Sequence, residues 1–151
     1  MTINISFSTV ADSISHLSIS GVNIKDANEI PAKAEANLPV LFSRPVDFIS
    51  DLSVTRVSMG SGGTAQMDGN YTLNYVFLHS VVGASGGVLS QYSDFLSKLA
   101  LIIVSILGND NITGALDMQL QGISNLGPLV GPNGTNFLGV EIALRVMEIV
   151  Q

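Results

Sequence analysis

Cysteine and tryptophan are missing from this sequence, and cations are few: six lysines and arginines stand against twelve acidic residues. Without cysteine there are no disulfides and no thiolate metal sites. The cations fall at Lys25, Lys33, Arg44, Arg56, Lys98 and Arg145. That scatter gives no basic patch to neutralise phosphates, which argues against direct nucleic-acid binding. Charged residues of both signs make up 12% of the chain, about half the globular average. A chain this apolar hides surface either in a membrane or in a subunit interface. The most apolar window, 95–107, contains Lys98 and runs into Gly108. A membrane span needs about 20 apolar residues, so this window is too short. No basic region followed by an apolar core opens the sequence, so no secretory leader is expected. The subunit interface is the favoured cover. At 151 residues one domain covering 1–151 is expected, long enough to bury about two-thirds of the surface of its unfolded chain.

Periodicity supplies the elements. Ile3, Phe7, Val10, Ile14 and Leu17 make one helical stripe, on a serine-rich background that favours helix poorly, and Gly21 ends it. Short strands are expected at 22–24 and 40–42, among three prolines. Residues 48–59 read as a strand, with Leu52 and Val54 on one face, Val57 and Met59 on the other, and a bulge at Thr55–Arg56. In residues 70–79, Tyr71, Leu73, Tyr75 and Phe77 alternate with Thr72 and Asn74, the clearest strand in the chain. The two strands form an antiparallel hairpin. A second helix occupies 88–107, apolar nearly all round in its later half, so covered on two sides and capped by Gly108. Leu116, Met118 and Leu120 alternate up to a bulge at Gly122, and GPLVGPNG (127–134) reads as a turn. The even positions Leu138 to Val146 form a closing strand. The predicted fold is α+β, a mostly antiparallel sheet packed on one face by two long helices.

Catalytic patterns are sparse. GASGG (83–87) fits the G-x-S-x-G elbow with Ser85 as nucleophile, but both histidines precede it and the sheet is antiparallel, so a flexible turn is the better reading. The glycine-rich loops lack the Lys-Ser/Thr of a phosphate loop. His16 reads as a half-exposed helix residue and His79 as a hydrogen-bonding group at a strand end, with no visible catalytic or metal partner. No cofactor is indicated. The hairpin loop Gly60, Ser61, Gly62, Gly63, Thr64, Ala65, Gln66, Met67 and Asp68 is longer than a tight turn requires. With Met59 and Met67 at its flanks it reads as a surface that touches protein.

Residues 21–45, with LPVLFSRP (38–45), residues 51–79, with YTLNYVFLH (71–79), the long helix and the closing VEIALRVMEIVQ (140–151) together resemble the tail terminator proteins of long-tailed bacteriophages. The resemblance spans about 20–151. It implies a structural virion protein, not an enzyme, assembled in the bacterial host cytoplasm and resident at the tail–neck junction. Such proteins form a hexameric ring on the head-proximal end of the tail tube, stop its polymerisation and dock to the neck. The implied partners are further copies of the chain, the tail tube protein and a neck or connector protein. DNA passes through without specific binding, and no membrane is involved. A head-to-tail contact closes such a ring. The 60–68 loop is then expected to reach the tube or a neighbouring subunit. Arg56 and Arg44 are expected to make inter-subunit ion pairs, because cations are scarce. The alternatives are another neck or head-completion connector, a small hydrolase using Ser85, and a membrane-peripheral module built on the apolar helix.

Overall fold

The alternating run around Tyr75 forms the spine of the computed structural model, which describes residues 7–24, 38–44, 47–58, 66–81, 87–108, 117–130 and 136–150. The elements are α1 (Phe7–Ser15), β1 (Asn23–Ile24), β2 (Val40–Ser43), β3 (Ile49–Ser58), β4 (Gln66–Val81), α2 (Gly87–Leu107), β5 (Asp117–Val130) and β6 (Asn136–Val150). They build one six-stranded sheet in the order β1-β2-β4-β6-β5, with β3 also paired to β4. Only β1 and β2 run parallel; the other pairings are antiparallel. Strand β4 pairs with β6 along one edge, from Met67 to Val81. Its other edge is shared: β2 lies against residues 75–78 and β3 against residues 66–73.

Tyr71, Leu73, Tyr75 and Phe77 lie opposite Val146, Leu144, Ile142 and Val140 in register, and all eight are buried. Phe95, Leu99, Ile102 and Ile106 of α2 cover them, and Val10 and Ile14 of α1 join the same cluster. Phe77 and Phe95 stack at 5.8 Å and 8°. On the opposite face, at the β2 end, Val40, Phe42, Leu78 and Phe137 form a smaller apolar cluster.

The α+β class and the mostly antiparallel sheet stand, but the expectation of two long helices does not. Among the described residues only α2 is long, at 21 residues; α1 spans nine, and Ile3 of the expected stripe lies outside the described part. The chain leaves α1 after Ser15 and turns back through an Ile19–Val22 bridge, so Leu17 lies beyond the helix. Gly21 makes that turn with φ +76, a left-handed conformation that favours glycine; the nearest obstacle to a Cβ is the movable end of Lys98, with Cε at 2.9 Å.

Strand irregularities also depart from expectation. The shifts in β3 fall at Ser50/Ser53 and Arg56/Ser58 rather than at Thr55–Arg56, with Asp51 at φ 54 in the first. The bulge at Gly122 occurs where expected, between Leu120 and Gly122. The supposed turn from Gly127 instead begins as strand: residues 127–130 continue β5. Proline is tolerated there because β5 is an edge strand and Pro128 need not donate to a second neighbour.

Candidate functional site

Most of the expected contact loop, Gly60 to Ala65, lies outside the described residues, as does Ser85. Gln66, Met67 and Asp68 are not loop but the first residues of β4, held between β3 and, from Met67, β6. Arg56 pairs through its backbone with Met67, and its side chain lies outside the described part.

Arg44, expected to pair between subunits, has its guanidinium occupied within its own chain. Its Nε and Nη2 bind the two oxygens of Asp47, Nη2 at 2.6 Å, and Nη1 donates to Glu141 Oε2 at 3.0 Å. The hydrogen bond to Asp47 leads the contacts that raise its pKa, against a lowering by burial. This clamp sits where the chain leaves β2 and returns as β3 on the same edge of β4. Asn74 stitches the seam. Its carbonyl accepts from Arg44 N at 2.9 Å, and its N–H donates to Phe48 O at 2.7 Å. Its side-chain amide donates to Asp47 O and Ser50 Oγ, both at 2.9 Å. A buried amide with its donors satisfied fixes register, since a slip would strand them.

Farther along the same face, Arg145 Nη1 donates to Asp51 O at 3.2 Å and Thr72 Oγ1 at 3.3 Å, and Thr72 donates to Gln121 Oε1 at 2.6 Å. Arg145, Asn70, Asp117, Gln119 and Met147 line a depression of about 220 Å³. On the helix side of the sheet, burial and then a hydrogen bond with Glu148 raise the pKa of Tyr71 well above the usual phenol value.

His79 has the partner that local spacing did not disclose. Its Nε2 lies 2.6 Å from Asp94 Oδ2, which also accepts from Lys98 Nζ at 2.6 Å. A carboxylate only accepts, so Nε2 carries the proton and Nδ1 accepts from Ser80 Oγ at 3.1 Å. The side chain is 3% exposed, and the ring meets Phe77 and Phe95 edge-on. Both nitrogens are committed and the ring is covered, so the group ties α2 to β4 and does not receive a substrate. His16 is exposed, with Nδ1 at 2.7 Å from Asp12 O. Among the described residues no three His, Cys, Asp or Glu side chains group to hold a metal ion.

The largest departure from an ordinary surface is apolar. Helix α2 was expected to be covered on two sides. Its core side is covered, while Leu96, Leu101 and Val104 are exposed, Val104 at 67%. No helix of the described residues is long and apolar enough to cross a membrane. Ile49, Leu52 and Val54 on β3 and Ile123 on β5 are also exposed, and these two strands are edges at opposite ends of the sheet. Sequence reading missed Asn74, Asp94, Glu141 and Arg145. Asp94 carried a local signal in its i,i+4 spacing to Lys98; the same spacing of Glu141 and Arg145 lies on a strand, where it signifies no pair. No protein-family profile and no curated protein matches the chain.

Proposed function

We propose that this chain is a tail terminator of a long-tailed bacteriophage, closing head-to-tail into a ring that caps the tail tube and docks to the neck. The observation that carries the proposal is that the two segments most specific to the resemblance are neighbours. Residues 40–43 of LPVLFSRP pair antiparallel with 75–78 of YTLNYVFLH, and Arg44 and Asn74 lock the corner between them. The segments form one structural unit.

Self-association is supported by the exposed apolar residues of α2 and by the apolar side chains on two different sheet edges. An unpaired edge is a template for another chain. Two unlike edges suit a heterologous contact, which yields a ring when its rotation closes. Low charge fits the same reading.

Electron microscopy of tails made without the protein tests the role. Overlong tubes support a terminator. Tails of normal length that fail to join heads indicate a connector, and normal virions end the proposal.

A further inference from the structure

Three lysine and arginine side chains are described, those of Arg44, Lys98 and Arg145, and two of them have acidic partners. Arg44 pairs with Asp47 and Glu141, Lys98 with Asp94, and the backbone-bonded His16 lies 3.5 Å from Asp12 Oδ1. Arg145 binds only neutral oxygens, through Nη1. It is half-buried in the depression formed with Asn70, Asp117, Gln119 and Met147. These residues come from two adjacent registers across β4, β6 and β5: Asn70–Met147–Asp117, and Thr72–Arg145–Gln119.

We infer that the depression around Arg145 is a carboxylate-binding subsite that takes an acidic side chain from a second copy of the chain; the choice of guest rests on the ring reading. Nε and Nη2 of the guanidinium carry no hydrogen bond among the described residues, and such an edge matches a planar carboxylate with two parallel hydrogen bonds. The side-chain amides of Asn70 and Gln119 supply further polar contacts. Asp117, whose Oδ2 accepts from Gln119 at 3.4 Å, places a negative charge at the rim. That charge disfavours a dianionic phosphate more than a single carboxylate. It also makes Asp117 an internal competitor, since a diagonal cross-strand position lies within reach of a long side chain. A second copy is the fitting source on two grounds. The depression borders β5, an edge strand where a neighbour would arrive, and twelve acids against six Lys and Arg leave carboxylates unmatched in every copy.

The test combines NMR of the Arg145 Nε–H resonance with sedimentation velocity on the full chain. Sodium acetate is compared with sodium chloride at matched ionic strength. The wild type should show a saturable acetate shift, absent in Arg145→Gln. Asp117→Asn, which keeps the arginine, should saturate at several-fold lower acetate. Acetate should weaken wild-type association, and Arg145→Gln should weaken it about tenfold, the scale of one charge-assisted pair. No saturable shift in either wild type or Asp117→Asn overturns the subsite. Saturable binding with association unchanged by acetate overturns the second copy as guest and leaves a site for small carboxylates. A chain that binds acetate but never self-associates removes the ring reading and the second-copy guest, and leaves the subsite. A ring that forms equally well with Arg145→Gln and ignores acetate removes the inference and leaves the ring.

Discussion

The two faces of β4 are built from alternate residues of one strand and solve different problems. Tyr71, Leu73, Tyr75 and Phe77 face α2 in a dry cluster. Thr72 and Asn74 face the other way, yet are buried nearly as fully, at 2% and 6% exposure. Burial on the first face is repaid by apolar area, roughly 25 cal/mol per Å². On the second it is tolerated because Thr72 Oγ1 and the Asn74 amide nitrogen are hydrogen-bonded. The first face supplies stability, and the second supplies register and Arg145, whose described contacts are all neutral oxygens. Changes on the two faces should therefore fail differently.

The largest effect belongs to the dry face. Phe95→Ala removes the stack on Phe77 and the edge contact with His79, and should cost about 3–5 kcal/mol, read as a lowered urea midpoint. Asn74→Ala comes next. It leaves Asp47 O and Ser50 Oγ without their donor, a loss of about 1–3 kcal/mol. Amide exchange should then quicken selectively along β2 and β3, a pattern Phe95→Ala should not reproduce. Uniform exchange in both variants would erase the distinction between the faces. Arg44→Gln should cost about 1 kcal/mol or less, because Asp47 stays half-exposed and screened. A double-mutant cycle with Glu141→Gln measures the part carried by that pair.

The smallest effect is a pH dependence. The hydrogen bond from Lys98, then that from His79, hold the Asp94 carboxyl below its usual value of 3.8. A depressed folded pKa contributes stability that is present above the unfolded value and lost as pH falls through the folded one. An acid titration below pH 3.8 should therefore show a loss of stability that Asp94→Asn lacks.

What was legible in the sequence follows from range. Strands β4 and β6 announced themselves through period-two alternation, and α2 through its stripe, because each pattern is local. The Gly122 bulge was legible because a phase change marks it. The brevity of α1 was not: its stripe runs on to Leu17, while the chain leaves the helix after Ser15 and turns at Ile19–Val22. Asp51 carries no local mark of its positive φ. Residues 127–130 look like a turn, and only their place on an edge strand makes Pro128 acceptable. The pairing of Arg44 with Glu141 joins residues 97 positions apart, beyond any spacing rule. Long range also hid Arg145, whose contacts, Asp51 O and Thr72 Oγ1, lie 94 and 73 positions away.

The central claim is that copies of this chain cover its exposed apolar flank. Val104→Lys tests it most directly. Val104 is exposed in the last turn of α2, where lysine is a better helix former and its charge suits the helix C-terminus. The folded chain should keep its melting temperature. Sedimentation velocity should find the wild type at about six times the 15.8 kDa chain mass, as a closed hexameric ring requires, and the variant at the mass of a single chain. A wild type that stays a single chain at high concentration, or a lysine variant that assembles as the wild type does, would contradict the account.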